Sequence, residues 1–348
     1  REGVNDMTSL KDIARECQVS VATVSKALNG HSDISEERKQ LIHKKAEEMG
    51  YRPNLFARTL KTNRSYNIGV LFTDAAHNGL THDYFAAVLD SFKVAVEQKD
   101  YDLTFLNCSK TGKKRMTYLQ RARYRGFDGV IVACVDFSDP EVLELIQSDI
   151  PVVTIDYVFN GRLAVMSDNV KGMEELFTYV YNQGHRKIAY VCGTESAVTQ
   201  SRLSGFYRTA EKLGVEIPQE YVLESDYRDP VSAAVATEKL LDLKNPPTCI
   251  LYPDDFAAFG GMSAIRARGL SIPEDISVAG YDGIRLATHS VPRLTTLHQD
   301  TCLLGHKAAE KLINLIEHPK TAVCDISIVE GEVFEGQTVR TINNDTSR

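Results

Sequence analysis

Four aspartates stand where apolar, β-branched runs stop: Asp74 after IGVLF, Asp156 after PVVTI, Asp254 after CILYP and Asp282 after ISVAGY. A carboxylate just past a parallel strand lies where open α/β sheets take their ligands, and it accepts paired hydroxyl donors. An aspartate there is also a common turn residue and helix cap. One alone is therefore uninformative, whereas four facing one cleft make a candidate binding site. A second set lies near the N-terminus: Ser20, Val21, Ala22, Thr23, Ser25, Lys26 and Asn29. If these residues open a helix laid in a DNA major groove, Val21 and Ala22 can touch thymine methyls but read no donors or acceptors. Lys26 can reach a guanine edge or a phosphate, and the hydroxyls and amide suit phosphate oxygens. Signatures of catalysis are missing: the sequence has no GxGxxG after a strand, no GxxxxGK[ST], no GxSxG and no HExxH. GTESAVTQ follows a strand, but its single glycine makes a weak phosphate loop.

The nine His form no spaced ligand set and the seven Cys no CxxC pair, so neither a metal nor a cofactor is expected. His43, His185 and His306 are expected to be solvated, and the cysteines to be reduced and mostly buried. No nucleophile–base pair stands out, and the chain is expected not to be an enzyme.

The elements that must position these residues fall into two kinds. Residues 1–60 are helical in pattern. SLKDIAREC carries Leu10, Ile13 and Ala14 at helical spacing, Ser20 can cap VATVSKALN, and Gly30 ends that helix. Ser35 can cap a third helix whose Leu41, Ile42, Ala46 and Met49 form an apolar stripe. Two helices joined by a tight turn make a helix-turn-helix. From Asn67 strands alternate with helices: IGVLF, YDLTFLN, GVIVAC and PVVTIDY, then a second series LAVMSD, KIAYVCG, CILYPD and ISVAGYD. Continuous apolar strands between helices predict parallel sheets covered on both faces, here as two doubly wound halves. A chain of 348 residues suits two or three domains at ~150 residues each.

Charge separates the same two parts. Residues 1–66 carry twelve Lys+Arg against nine Asp+Glu, and the remainder 28 against 38. A basic head on an acidic body points to nucleic acid as partner. No run approaches the ~18 apolar residues of a membrane span, and REGVNDMTSLKD has no apolar leader, so a cytoplasmic location without membrane contact is expected.

SLKDIARECQVSVATVSKALNG followed by GYRPNLFARTLKTNRSYNIGVL resembles the lactose-repressor (LacI/GalR) family of bacterial transcription regulators. The likeness continues through DNVKGMEE, GHRKIAYVCG, SRLSGF, PDDFAAFGG, ISVAGYDG and PRLTTLHQD. It implies a helix-turn-helix head over 8–52, a hinge helix and linker over 53–66, and a body over 67–342 like periplasmic sugar-binding proteins. The body's N-subdomain would be 67–165 and 296–325, and its C-subdomain 166–295 and 326–342. The resemblance makes Leu60 a wedge into the central base step, with Arg58 and Lys61 beside it for phosphate. It makes Asp156, Arg202, Asp254 and Asp282 the effector ligands, with Tyr227 as an aromatic wall.

Carboxylates, an Arg and a Tyr suit a polyhydroxylated ligand. Partners are then a palindromic double-stranded operator, a carbohydrate-like effector and a second copy of the chain. The helices around Tyr84–Val96 and Phe256–Ile265 would pair in that dimer, and GEVFEGQTVRTINNDTSR offers no heptad for a tetramer. The implied function is an effector-responsive repressor. Alternatives are a corepressor-activated regulator, a sugar-binding receptor without a transcriptional role, and a sugar-processing enzyme. Two departures bear on the effector. Asp254-Asp255 replaces a common Asn-Asp, and Gly283 stands where a second carboxylate is frequent. The added acid favours a hydroxyl-rich or cationic ligand over a phosphorylated one.

Leu60→Ala is expected to weaken operator binding by about 1–3 kcal/mol, the scale of one lost base-step contact. Fluorescence anisotropy on a selected palindrome measures it, and equal affinity for parent and variant removes the wedge role.

Overall fold

The computed structural model describes residues 8–28, 31–51, 64–73, 79–106 and 115–342. Asn29, Gly30, Arg58, Leu60, Lys61 and Asp74 lie outside them. The chain divides into a head, up to Ser65, and a body from Tyr66.

In the head, α1 (Leu10–Glu16), α2 (Val21–Leu28) and α3 (Glu36–Glu48) close over Ile13, Ala14, Val24, Ala27, Ile42 and Ala46. The start of α2 is set by Ser20, whose Oγ accepts the Thr23 N–H at 3.0 Å. The turn before it is tight because Gln18 takes φ +53°. Leu41 departs from its expected place in the apolar stripe and is 57 % exposed. Ile42 and Ala46, one turn apart, face the core, and Leu41 is rotated about 100° away from that face.

The body contains two six-stranded sheets. The first is built from β1 (Asn67–Phe72), β2 (Asp102–Phe105), β3 (Gly129–Ala133), β4 (Val152–Ile155) and β5 (Leu163–Ser167). The second is built from β6 (Ile188–Cys192), β7 (Val222–Glu224), β8 (Cys249–Leu251), β9 (Ser277–Asp282) and β10 (Thr295–His298). β11 (Ile326–Val329) then joins the first sheet and β12 (Glu332–Phe334) the second. The orders are β11-β5-β4-β3-β1-β2, all parallel, and β12-β10-β9-β8-β6-β7, parallel except for the β12–β10 pair.

The helices are α4 (Asp83–Glu97), α5 (Tyr118–Arg125), α6 (Pro140–Gln147), α7 (Asn169–Asn182), α8 (Ala197–Lys212), α9 (Pro230–Leu241), α10 (Asp255–Ala267), α11 (Arg285–His289) and α12 (Thr301–Glu317). Both faces of each sheet are covered. α4 and α12 lie on one face of the first sheet, with α5 and α6 on the other. α9 and α10 lie on one face of the second sheet, with α7 and α8 on the other. β3, β4 and β6 are buried at every residue, as their unbroken apolar runs require.

Strand pairing moves two expected boundaries. LAVMS, placed in the second series by the sequence pattern, is β5 of the first sheet, with Val153 opposite Leu163 and Ile155 opposite Val165. Residues 295–298 stay in the second sheet beside β9, and residues 326–329 pair with β5 in the first. The chain therefore crosses between subdomains at 167–169, 298–301 and 329–332. Two of these crossings end in an aspartate cap. Asp168 Oδ1 accepts the Lys171 N–H at 3.0 Å, and Asp300 Oδ1 accepts the Leu303 N–H at 2.8 Å.

His185 also departs from expectation and is fully buried. Its Nε2–H donates to the Arg340 carbonyl at 3.1 Å, and Nδ1 meets Thr248 Oγ1 at 2.9 Å. Burial pushes its pKa down to about 4. Of the described cysteines Cys192 and Cys249 are buried, while Cys302 and Cys324 are exposed rather than inside. Among the described residues no helix is long and apolar enough to cross a membrane.

α4 and α12 meet closely at Gly305, where an added Cβ would fall 2.4 Å from the Val88 carbonyl oxygen and 2.6 Å from the Phe92 nitrogen. Both are backbone atoms and cannot swing aside. Gly305→Ala is expected to destabilise the body by about 1–3 kcal/mol, the usual penalty of overpacking. A urea-unfolding midpoint identical to the parent's would show that the helices part without strain.

Candidate functional site

The carboxyl ends of the two parallel sheets face one cleft of about 830 Å³. Such a position follows from the topology, since helices leave each strand at that end and the returning chain opens a crevice there. Asp156, Arg202, Tyr227, Asp254 and Asp282, the five residues expected to meet an effector, all line it.

Asp156 directly follows β4 with φ +57°. Its Oδ1 accepts the Ser167 N–H at 3.0 Å and its Oδ2 the Tyr84 hydroxyl at 2.8 Å. Burial raises its pKa, opposed by those two bonds and by Arg202. Asp254 caps α10. Its Oδ1 accepts the Ala257 N–H at 2.9 Å and its Oδ2 the Arg228 N–H at 2.8 Å. Its pKa is raised by burial.

Asp282 ends β9 at φ +107° and accepts Gln299 Nε2–H at 2.7 Å. Burial pushes its pKa up to about 7 although Arg202 opposes the shift. The following Gly283 takes φ +71°, and a Cβ there would lie 2.3 Å from His298 Nδ1. It would also lie 2.6 Å from His298 Cα, so no carboxylate-bearing residue fits at Gly283 without a backbone shift.

Arg202 comes from the second turn of α8 and is 4 % exposed. Nε donates to Asn169 Oδ1 at 2.8 Å and Nη1 to the Pro253 carbonyl at 2.6 Å. The guanidinium lies 3.6 Å over the Tyr281 ring, and Nη2 stands 3.9 Å from Asp282 Oδ1. Tyr227 closes the wall. Its hydroxyl shares a hydrogen bond with Thr199 Oγ1 at 2.8 Å, and its ring sits where a Cβ on Gly193 would fall, 2.1 Å from Cε2.

Sequence reasoning missed Tyr84, Asn169, Arg228 and Gln299. Gln299 lies within the LHQD segment, and Arg228 is the neighbour of Tyr227. Asn169 lies within the DNVKGMEE segment, and Tyr84 gives no local signal. Conversely Asp255, beside Asp254, does not line the cleft. Fully buried, it accepts Thr296 Oγ1–H at 2.6 Å and the Ile284 N–H at 2.8 Å. It ties α10 to the second sheet and to the start of α11.

Seven lining carboxylates, Asp136, Asp156, Glu195, Asp226, Asp229, Asp254 and Asp282, face two guanidiniums, Arg202 and Arg228. Both guanidiniums are engaged by protein acceptors. The cleft is thus rich in acceptors for hydroxyl or ammonium donors. Among the described residues no group of three His, Cys, Asp or Glu could hold a metal ion.

On the head, Ser20, Val21, Ala22 and Lys26 are exposed along the first two turns of α2, with Thr23 and Ser25 half-buried. Ser20 and Thr23 hydroxyls lie 2.8 Å apart in the cap, and Lys26 pairs with Asp33.

Asp282 carries a pH dependence. Its folded pKa, about 7, lies above its ordinary 3.8. Its contribution to stability is therefore fully present below about pH 4 and is lost as pH rises through 7, by at most ~1.4 kcal/mol per pH unit. Relative to the parent, Asp282→Asn should gain melting temperature as pH rises from 5 to 8, on top of a pH-independent offset from the lost approach to Arg202. Calorimetric melting points with a pH-independent difference would contradict this assignment.

Comparison with known proteins agrees with both halves of the chain. Residues 9–54 match the model for bacterial regulatory proteins of the lacI family, and residues 177–339 match a periplasmic binding protein-like domain. The chain is 32 % identical over 348 residues to the HTH-type transcriptional repressor PurR of Vibrio vulnificus (strain CMCP6), covering 97 % of this chain and 100 % of that one. It is 32 % identical over 318 residues to the probable HTH-type transcriptional repressor ExuR of Bacillus subtilis (strain 168), covering 90 % and 93 %. In fold it is similar to a lac repressor dimer bound to operator and the anti-inducer ONPF, with a TM-score of 0.79 at 23 % identity over 96 % of this chain and all of that one. It is also similar to a transcriptional regulator CelR–cellobiose complex, with a TM-score of 0.69 at 22 % identity over 95 % and 99 %. With a helix-turn-helix head, a two-sheet body and full-length relatives on both criteria, this chain belongs to the lacI family of bacterial regulatory proteins.

Proposed function

We propose that this protein is a transcriptional repressor that binds a palindromic operator as a two-fold dimer and is released by a polyhydroxylated, carbohydrate-like effector held in the acidic cleft. The observation that carries this reading is the convergence of Asp156, Arg202, Tyr227, Asp254 and Asp282 on one cleft. Each carboxylate keeps acceptor capacity beyond the bonds it already makes. Tyr227 offers a flat apolar face to a ring, and Arg202 is positioned by Asn169 and the Pro253 carbonyl with Nη2 left near Asp282. An anionic or phosphorylated effector would add negative charge where seven carboxylates already stand against two engaged guanidiniums. The relatives named PurR and ExuR are repressors, and CelR was solved with cellobiose, which supports the regulator class and a sugar as the first candidate.

For the dimer, α4 and α10 remain the candidate pairing helices, with Phe256 and Phe259 half-buried. Most of Phe256–Ile265 is used within its own subdomain. The apolar residues left on the surface nearby are Val231 and Val235, one turn apart on α9, at 72 % and 52 % exposure. Light scattering should give twice 38.7 kDa; a stable mass near four times that value counts against the dimer.

Screening the full chain by thermal shift against neutral mono- and disaccharides should raise the melting temperature for at least one, by mass action. That sugar should lower operator affinity in the parent. Arg202→Ala should weaken its binding roughly ten- to hundredfold, since a bond to a charged group is worth ~1.5–3 kcal/mol. Operator binding without sugar should persist. Unchanged calorimetric affinity for the sugar in Arg202→Ala, or no response from any sugar alongside a clear one from a phosphorylated compound, would defeat the reading.

A further inference from the structure

We propose that Arg228 and Asp83 form a latch across the cleft, a pair that holds the two subdomains together and so positions the cleft walls around an effector. This rests on the cleft being the effector site. Arg228 belongs to the second sheet's subdomain, in the loop between β7 and α9. Asp83 is the first residue of α4, on the first sheet's subdomain. Arg228 Nη2 donates to the Thr81 carbonyl at 3.1 Å, and Nη1 reaches Asp83 Oδ2 at 3.4 Å.

The arm that carries the latch is rigid on its own side. Arg228 takes φ +57° and its N–H is held by Asp254 Oδ2. The next residue, Asp229, caps α9 by accepting the Val231 N–H at 2.8 Å, and the guanidinium lies 4.2 Å over the Phe256 ring. Only the tip of the side chain crosses to the other subdomain. Asp254 therefore links the latch to the ligand wall: one of its oxygens holds the arm while the carboxylate itself lines the cleft.

Two features make this contact reversible rather than a fixed strut. The side chain of Arg228 is 9 % exposed, and its Nε is buried with no hydrogen-bond partner. A buried donor without an acceptor opposes the closed state, and opening returns that N–H to water. Asp83 is 46 % exposed at the N-terminus of α4, where the helix dipole favours its charge whether or not Arg228 is present. Each partner thus has an acceptable state apart, as a two-state element requires. Asp83 does not line the cleft. Arg228 does line it, so the latch sets how readily the subdomains close, and Asp83 is the half that can be changed without altering the wall. Arg228 and Asp83 are positioning residues in this scheme.

Hydrogen exchange followed by mass spectrometry on the full chain tests it without an effector. Asp83→Ala, a change in the first subdomain, should speed amide exchange of residues 225–229 in the second by about threefold or more, as a local opening would. Arg228→Ala should do the same to residues 79–85, and both should leave β4 and β8 unchanged. The double variant should be no faster in either segment than the faster single, because one contact can be removed only once. Asp83→Asn, which keeps the shape and loses the charge, should shift residues 225–229 in the same direction. The latch is overturned if neither Asp83 variant alters residues 225–229, or if the double variant adds the two single effects in full. A negative outcome here leaves the sugar screen free to succeed, and a failed sugar screen leaves this measurement valid.

Discussion

A guanidinium removed from water governs the body of this protein. Arg202 is 4 % exposed, and a buried charge without compensation typically costs 3–5 kcal/mol when its partner is taken away. Its compensation comes from three separate parts of the chain: Asn169 at the start of α7, the Pro253 carbonyl after β8, and Asp282 at the end of β9, with Tyr281 beneath it. Helix α8 must therefore present Arg202 at one depth, and β8 and β9 must end at one level. The start of α7 and the ends of β8 and β9 thus meet at one guanidinium. The same charge lowers the pKa of Asp156 and of Asp282 against the rise that burial imposes on both.

The three chain crossings give the cleft its geometry. A hinge made of one strand would let the subdomains twist freely, whereas crossings at 167–169, 298–301 and 329–332 restrict relative motion to a few modes. Asp168 and Asp300 fix where α7 and α12 begin just past two of those crossings, each cap being worth ~1 kcal/mol. Asn169, the first residue after the Asp168 cap, is also the residue that holds Arg202 Nε. The hinge and the buried charge thus meet within two residues. Asn169 and Arg202 both belong to the second sheet's subdomain, so the contact that orients the guanidinium sits directly at the end of the first crossing without spanning it.

Period and punctuation made most of the fold legible. Three amphipathic helices ahead of Asn67, then apolar strands alternating with helices, are patterns that burial on one stripe or two faces imposes locally. What could not be read was decided by pairing over long distances. LAVMS has the same local character in either sheet, and only its hydrogen bonds to β4 and β11 assign it to the first. His185 has a polar, helix-end context in sequence, yet Thr248 and Arg340, 63 and 155 residues away, give it partners that make burial tolerable. In the site, the strand-end aspartates were visible because a carboxylate after a β-branched run is a local signal. Tyr84 was not, because its role depends on Asp156, 72 residues further on. Arg228 was hidden for the same reason: nothing next to Tyr227 in the chain indicates that its side chain spans to Thr81 and Asp83.

Asp254 and Asp255 show how finely position divides chemistry between adjacent residues. Both are carboxylates of one helix start, Asp254 as the N-cap with extended backbone and Asp255 as the first helical residue of α10. Asp254 points to the cleft with two backbone donors on its oxygens and capacity to accept more. Asp255 points into the subdomain, where Thr296 and the Ile284 N–H occupy it and where burial and the nearby Asp282 raise its pKa. The two carboxylates cannot exchange duties. Asp255 serves the packing of α10 on the second sheet, and an added side chain at Gly280 would meet its Oδ1 at 2.3 Å. Asp254 is set at the wall by the same helix. The acid that makes this cleft more negative than an Asn-Asp pair would is therefore the one free to face a ligand, while its neighbour is structural. Counting acidic residues in the segment overstates the charge at the cleft, and the change from extended cap to first helical residue decides which carboxylate is presented there.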